Sequence, residues 1–180
     1  MPEEKTALRR GSAQWLAVTA VLTAMNIVLS MSIFSVPVPG GHLYFCDAII
    51  NTAAILLDPF AAFVVGGVGS FIGDMLFYPA PMLVSLITHG LQAVAVSALS
   101  RRIMKRRPAI GASVAVFIGA LIMVAGYTLG RAYIYATPEY AVIKLPFEIL
   151  QAVLGASVAV ALCFPLRLRE IFHHMVHNMR

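Results

Sequence analysis

Charge is what this sequence has least of. Charged residues make up 12% of its 180 residues, whereas a typical soluble domain contains about 25%. Hydrophobic residues make up 60%, and the mean hydropathy is +0.86. A water-facing globule does not carry so much apolar surface, so the composition predicts an all-α integral membrane protein of one domain.

The sequence also lacks the motifs of several enzyme classes. Its two cysteines, Cys46 and Cys163, make no disulfide framework. It has no nucleophile elbow and no zinc-protease helix, and the glycines at 66–69 lack the lysine of a phosphate-binding loop. His174 and His177 have a metal-compatible spacing but no fixed Cys or acidic partner. We therefore expect a protein that is not an enzyme and holds neither a metal nor a cofactor.

Long apolar segments predict six transmembrane helices, with cytoplasmic tails at 1–12 and 169–180 and a membrane domain at 13–168. The second segment is short for a span, which needs about 20 residues. A loop rich in proline and glycine precedes it at 35–46, and Pro146 suits the first turn of the sixth helix. The predicted segments are 13–34, 47–57, 60–77, 82–100, 110–135 and 146–168.

Basic residues predict the orientation. Six spans place both termini on one side, and only Arg131 and Lys144 then fall on the other side. Because cytoplasmic loops carry an excess of Lys and Arg, both termini are expected to be cytoplasmic, in a prokaryotic plasma membrane. The run at 101–107 is then a topogenic loop facing lipid headgroups and not a nucleic-acid site. The residues on the cytoplasmic side are Lys5, Arg9, Arg10, Arg101, Arg102, Lys105, Arg106, Arg107, Arg167, Arg169 and Arg180.

Polar residues inside the membrane are rare and usually functional, because a charge at the centre of a span costs about 2.5–3.5 kcal/mol on insertion scales. In this topology they all lie in the outer half of the helices or just outside it. A proton path would leave polar groups at every depth, so the pattern favours one binding pocket open to the outside. The candidate binding residues are Asn26, Tyr44, Asp47, Asn51, Asp74, His89, Gln92, Tyr127, Arg131, Glu148 and Gln151.

Simpler roles for these residues stay open. Asp47 and Asp74 would also suit helix ends at the membrane interface. Glu148 could complement the positive end of its helix, and Arg131 and Lys144 could extend to the outer headgroups. A lone histidine such as His89 is more often a structural hydrogen-bonding residue than a ligand.

Four stretches in this order resemble a known family across residues 13–168. They are GGHLYFCDAIINTAAILLDPFAAFVVGGVGSFIGDML, THGLQAVAV, VAGYTLGRAYIY and LPFEILQAVLGA. The chain resembles the substrate-binding S components of energy-coupling factor (ECF) vitamin transporters, in particular the riboflavin-type group with the hydroxymethylpyrimidine and pyridoxine carriers. It departs from similar proteins at Gln92, where they often carry an acidic residue, and this departure bears on the substrate.

The resemblance implies a mechanism and partners. An S component binds a vitamin at its outer side, the loop after its first helix covers the site, and the subunit topples in the membrane to release the vitamin inside. A transmembrane coupling subunit and two cytosolic ATPase subunits supply the energy. Family members pack on the coupling subunit through small residues on the first helix, a pattern that Ala20 and Ala24 fit, with Ala13 and Ala17 as a second pair.

We therefore predict a high-affinity binding subunit for a small water-soluble vitamin or precursor. The acids and amides suit a nitrogen heterocycle such as hydroxymethylpyrimidine or a pyridoxine-like compound, and then riboflavin or pantothenate. Tyr127, Tyr44 or Phe45 would stack on the ring, while Arg131 and Lys144 leave an anionic ligand open. The alternatives are an integral-membrane lipid-modifying enzyme that uses Asp47, Asp74 and His89, and a scaffold without a ligand.

Overall fold

The chain folds into a bundle of apolar helices capped at one end by a short hairpin. The computed structural model describes residues 8–31, 35–103 and 107–178. Its helices are α1 (Ala13–Leu29), α2 (Cys46–Leu56), α3 (Pro59–Phe77), α4 (Met82–Arg102), α5 (Pro108–Tyr135), α6 (Pro138–Cys163) and α7 (Leu168–Asn178). The hairpin pairs β1 (Val36–Val38) with β2 (Gly41–Leu43) in antiparallel register.

Four of these helices, α3 to α6, are long and apolar enough to cross a membrane by length and composition. The helices α1 and α2 are apolar but shorter. This confirms the predicted all-α membrane class. Four of the predicted cytoplasmic basic residues lie outside the described part of the chain, namely Lys5, Lys105, Arg106 and Arg180.

The short helix α2 lies in the middle of the bundle. Nine of its 11 residues are buried, because α1, α3, α4 and α6 all pack around it. Such a helix is about 16 Å long, well short of the roughly 30 Å hydrocarbon layer. Its neighbours rather than lipid surround it, so its backbone and polar side chains are satisfied within the protein.

Two helices widen locally into a π turn. In α3 the turn covers Val64–Val68, and in α5 it covers Arg131–Tyr135. Glycine is required in the first turn, because a Cβ at Gly67 would lie 2.9 Å from the carbonyl oxygen of Leu86 on α4. Isolated π turns are often found at functional sites, and both of these lie next to the polar residues described below.

Several predicted boundaries are wrong. The sixth helix begins at Pro138 and not at Pro146, because Thr137 caps it by accepting from the backbone N–H of Tyr140 (3.5 Å). Proline is favoured at a first helical position, so Thr137 and Pro138 mark the true start, while Pro146 lies inside the helix. The first helix ends at Leu29 and the sixth at Cys163.

The predicted C-terminal tail is largely a helix. The helix α7 starts at Leu168 and packs on the bundle through Phe172 and Val176, which lie one turn apart. Both side chains are buried in a cluster with Trp15 and Leu57. The side chain of His177, half of the histidine pair noted in the sequence, lies outside the described residues.

Hydrogen bonds around Asp58 join the start of α1 to the turn between α2 and α3. The indole N–H of Trp15 donates to Asp58 Oδ2 (2.5 Å). Asp58 Oδ1 accepts from the backbone N–H groups of Phe60 and Ala61 (3.1 and 3.3 Å) and so caps α3. Arg101 at the end of α4 donates to the carbonyl oxygen of Leu56 (3.4 Å). The guanidinium of Arg10 also lies 4.0 Å from the ring centre of Phe60, so two basic residues lie at this end of α2, and the hairpin precedes its other end.

Replacing Asp58 with alanine should destabilise the bundle by about 2 kcal/mol, because it removes a helix cap and the partner of a buried indole N–H. Thermal unfolding of the protein in detergent would show the loss as a lower midpoint. The matched control is Glu170→Ala, which removes the same charge from an exposed position on α7. Equal midpoints for the two variants would contradict the capping role.

Candidate functional site

A cavity of about 480 Å³ lies beneath the hairpin, between the ends of α3, α4, α5 and α6. Ligand pockets commonly have volumes of about 300–1,000 Å³, so the space suits a small molecule. Its charged and amide lining comes from Asp74, His89, Arg131, Glu148 and Gln151. Five of the six tyrosines of the chain also line it, namely Tyr44, Tyr78, Tyr127, Tyr135 and Tyr140.

Beneath the cavity lies a hydrogen-bonded group, Asp47, Asn51 and Gln92, which we call the floor cluster. The side chain of Asp47 is fully buried. Its two oxygens accept from Gln92 Nε2 (3.0 Å) and from Gln151 Nε2 (2.7 Å), and Gln92 Nε2 also lies 3.4 Å from Asn51 Oδ1. The cluster joins α2, α4 and α6. None of its three residues is part of the cavity lining.

The floor cluster also fixes the proton of His89. Because the amide nitrogen of Gln92 donates to Asp47, the amide oxygen of Gln92 is an acceptor. His89 Nδ1 lies 2.7 Å from that oxygen and therefore donates to it. Its other nitrogen is free of this constraint, and the ring packs edge-on against Tyr127 at 5.1 Å between centroids. His89 thus connects the floor cluster to the cavity.

Three side chains of α5 and α6 hold the hairpin, residues 36–43, over the cavity. Arg131 donates to the carbonyl oxygen of Gly40 (2.8 Å), and Lys144 donates to that of His42 (2.6 Å). Gln151 Oε1 accepts from the backbone N–H of Tyr44, just beyond the hairpin (3.0 Å). We call this hairpin the lid.

The turn of the lid requires glycine. Gly40 has φ +81°, and it follows Pro39 in the two-residue turn between Val38 and Gly41. Proline followed by a residue with positive φ is typical of a type II turn. A Cβ at Gly40 would also lie 3.0 Å from Lys144 Cβ. The sequence PGG therefore lets the backbone of the lid approach α6 closely.

The side chains of Arg131 and Lys144 are buried within the protein. Lys144 is 2% exposed, and Arg131 forms a buried ion pair with Glu148 (2.8 Å). The simpler roles considered for these residues therefore do not apply, because both cations point into the protein. Glu148 likewise has a specific partner in Arg131 beyond any interaction with the helix end.

Asp74 has a different environment from Glu148. Its Oδ2 accepts from the hydroxyl of Ser85, and that hydroxyl lies 2.6 Å from the hydroxyl of Tyr127. Among the described residues, no Lys, Arg or His is within ion-pair distance of Asp74. On the lid side, burial raises the pKa of Tyr44 to about 12, and the nearby Asp74 carboxylate contributes. Tyr44 is therefore a neutral hydroxyl at physiological pH.

Seven of the eleven candidate binding residues lie together in the cavity lining: Tyr44, Asp74, His89, Tyr127, Arg131, Glu148 and Gln151. The floor cluster accounts for three of the others. The fourth, Asn26, donates to the carbonyl oxygen of Val65 (2.7 Å) and to Ser70 Oγ (3.1 Å), so it fastens α1 to the π turn of α3. Phe45, considered for stacking, is 45% exposed and is not part of the lining.

Sequence reasoning missed Tyr78, Tyr135 and Tyr140, whereas the family resemblance did imply that the loop after the first helix covers the site. A signal for Tyr135 existed, because Tyr127, Arg131 and Tyr135 recur every four residues and so share one helix face. Tyr133, two residues earlier, is 78% exposed. The bonds from Arg131 to Gly40 and from Lys144 to His42 had no such signal, since they depend on how the hairpin folds back.

One group of described side chains has the geometry to hold a metal ion. The ligand atoms of Cys46, Asp47 and His89 all lie within 4.8 Å of one another. Asp47 and His89 are both hydrogen-bonded to Gln92, so an ion would have to replace those bonds. Hydrogen bonds to Gln92 are enough to explain why these side chains lie together.

Taken together, the apolar bundle and the covered polar cavity define a membrane-embedded binding protein for a small molecule. A family model described as ECF-type riboflavin transporter, S component, matches residues 11–168. The chain belongs to this family and is the substrate-binding subunit of an ECF transporter. A protein of Pyrococcus woesei, named "Uncharacterized protein in gap 3'region", is 30% identical over 145 residues, which are 79% of this chain and 95% of that protein.

The natural thiol of Cys46 lines the cavity beneath the lid and offers a direct measure of lid opening. In a Cys163→Ala background, replacing Lys144 with methionine should speed the labelling of Cys46 by a maleimide about tenfold. The reason is that the variant loses a charge-assisted hydrogen bond to the lid, worth roughly 1.5–3 kcal/mol.

The control for this prediction is Arg102→Met, which removes an exposed cation at the far end of the bundle. It should leave the labelling rate of Cys46 unchanged. If Lys144→Met labels no faster than this control, Lys144 does not hold the lid closed.

Proposed function

We propose that this subunit binds a small water-soluble vitamin or vitamin precursor with a flat nitrogen heterocycle, and delivers it across the membrane. The observation that carries the proposal is the covered cavity with five tyrosines and two carboxylates in its lining. Aromatic side chains stack on flat rings, and carboxylates and amides pair with ring and amino N–H groups. Hydroxymethylpyrimidine or a pyridoxine-like compound fits this lining best.

Riboflavin is the next candidate, because it is also flat and the cavity has room for more than one ring. Pantothenate has no ring on which the tyrosines would stack, so it ranks below riboflavin. An anionic ligand is less favoured than it was from the sequence, because Arg131 is paired with Glu148 and Lys144 is bonded to the lid.

The lipid-modifying enzyme is no longer supported by its candidate catalytic residues. Asp47 lies in the floor cluster, bonded to two amides, and is not part of the cavity lining. It does not face a common substrate with Asp74 and His89. The family is one of transporter components, which agrees with a binding role.

We also propose that the chain crosses the membrane six times, through α1 to α6, with both termini in the cytoplasm of a prokaryotic cell. The short α2 makes its crossing inside the bundle, between the lid and the turn at Asp58. Among the described residues, Arg10 lies over Phe60 and Arg101 donates to Leu56 near the Asp58 end of the bundle, while Arg131 and Lys144 donate to the lid. The positive-inside rule then places the lid outside and α7 on the cytoplasmic face.

A separate transmembrane coupling subunit and two cytosolic ATPase subunits would energise release. The chain offers no nucleotide-binding motif for this task. Ala20 and Ala24 are both exposed and share one face of α1, as a docking surface of small residues requires.

Mass spectrometry of small molecules released from the detergent-purified protein tests the substrate. We expect an aromatic nitrogen heterocycle in about equal amount to the protein. Its affinity, measured by titration calorimetry, should fall about 2- to 10-fold in Tyr135→Ala through loss of stacking. The matched variant Tyr133→Ala changes an exposed tyrosine two residues away and should bind as the unmodified protein does.

A released phospholipid or isoprenoid would contradict the vitamin proposal and support a lipid-directed protein. A heterocycle whose affinity fell equally in Tyr133→Ala and Tyr135→Ala would mean that the cavity described here is not where it binds.

The docking surface makes a separate prediction. Ala24→Trp should abolish vitamin uptake in cells that contain the ECF module, because a bulky side chain keeps the coupling subunit from packing on α1. Vitamin binding by the purified variant should be unchanged, since Ala24 is remote from the cavity lining. The control is Ala125→Trp, which places the same side chain at an exposed position on α5. Uptake that survives in Ala24→Trp would remove α1 as the docking surface.

A further inference from the structure

We infer that the ligand is bound as a cation, with a protonated ring nitrogen or amino group paired to the Asp74 carboxylate. The inference rests on the proposed function and sharpens it, because it selects among heterocycles by charge. It follows from how the charged groups around the cavity are already engaged.

The permanent cations at the cavity both have partners, and only Nε of Arg131 is buried without one. Arg131 is bonded to Glu148 and to the carbonyl oxygen of Gly40, both at 2.8 Å. Lys144 is bonded to the carbonyl oxygen of His42. The Arg131–Glu148 pair cancels its own charge, and neither cation is within ion-pair distance of Asp74.

Nδ1 of His89 faces the floor cluster, which contains the carboxylate of Asp47. Its Nδ1 lies 3.8 Å from Asp47 Oδ1 and donates to Gln92, so its ordered proton serves the floor cluster. Counting Asp47, Asp74 and Glu148 against Arg131 and Lys144 leaves one negative charge in excess.

Asp74 is thus the cavity carboxylate with only a hydroxyl partner. Ser85 donates to its Oδ2, and none of the described residues donates a hydrogen bond to Oδ1. A carboxylate held in a low-dielectric site without a counter-ion is costly, and a cationic ligand removes that cost. The free oxygen can accept an N–H group from the edge of a ring.

This geometry favours an aminopyrimidine or a pyridine over a flavin. A protonated ring nitrogen, which an aminopyrimidine or a pyridine can carry, presents an N–H donor and a positive charge to one carboxylate. The flavin ring is uncharged at neutral pH and presents no charged donor. Hydroxymethylpyrimidine and pyridoxine-like compounds therefore gain support over riboflavin.

The test measures the affinity of the full-length protein in detergent for three probes by titration calorimetry. They are 4-amino-5-hydroxymethyl-2-methylpyrimidine, its phenyl analogue with CH in place of both ring nitrogens, and riboflavin. We expect the aminopyrimidine to bind tightest, and Asp74→Asn to weaken it by about 10- to 100-fold, as the loss of a charged hydrogen bond implies. The control Glu139→Gln neutralises an exposed acid on α6 and should change nothing.

The probe comparison uses the unmodified protein, so it stands even if Asp74→Asn fails to fold. Ser85→Ala gives a second variant, which keeps the carboxylate and should retain aminopyrimidine binding within a few-fold. Equal affinity for the phenyl analogue, tighter binding of riboflavin, or unchanged binding in Asp74→Asn would each overturn the inference while leaving a vitamin-binding subunit in place.

If none of the probes binds, the charge of the ligand recovered by mass spectrometry is the test. A recovered cation supports the inference, and a recovered neutral or anionic heterocycle overturns it while the proposed function stands. A protein that binds no probe and releases no small molecule overturns both.

Discussion

The buried carboxylate of Asp47 is the interaction on which the shape of the cavity depends. A charge with no exposed surface is tolerated only with good partners, and Asp47 has them in Gln92 of α4 and Gln151 of α6. A Cβ at Gly155 would collide with Asp47 Cβ, so glycine lets α6 lie directly against α2. With three helices fixed in this way, the residues one turn nearer the lid, His89 and Glu148, are placed in the cavity lining.

The charged residues nearer the lid have a second task. Arg131 and Lys144 donate to backbone carbonyl oxygens of the lid, so the closed lid covers both cations and is held by them. Charged donors of α5 and α6 thus bind the carbonyl oxygens of a short hairpin, and donors of this kind can be hydrated when such bonds break. Asp74, on the opposite wall, takes no part in this closure and stays available to a ligand.

Much of this arrangement could be predicted from the sequence, because the position of a polar residue within a predicted span gives its depth in the membrane. Six apolar segments and the basic residues were enough to place Asp74, Arg131 and Glu148 in one layer. Depth does not say which residues face the cavity and which lie beneath it, so the floor cluster was not separated from the lining. The helix start at Pro138 was missed because Pro146 gave a competing signal. The helix α7 was missed because it is amphipathic rather than apolar.

The floor cluster also bears on how a ligand would leave the cavity. Below it, the described core is built from small and aliphatic side chains such as Ile50, Ala54, Ala93 and Val96, all fully buried. A path through this layer would break the bonds of Asp47 and leave a buried carboxylate unpaired, at a cost of several kcal/mol. Opening the lid breaks only hydrogen bonds whose donors can be hydrated. The ligand is therefore expected to leave by the side it entered, and inward delivery would then need the whole subunit to reorient, as the toppling motion implied by the family resemblance does. Ala20 and Ala24, exposed on one face of α1, are the proposed contact of a coupling subunit in that motion.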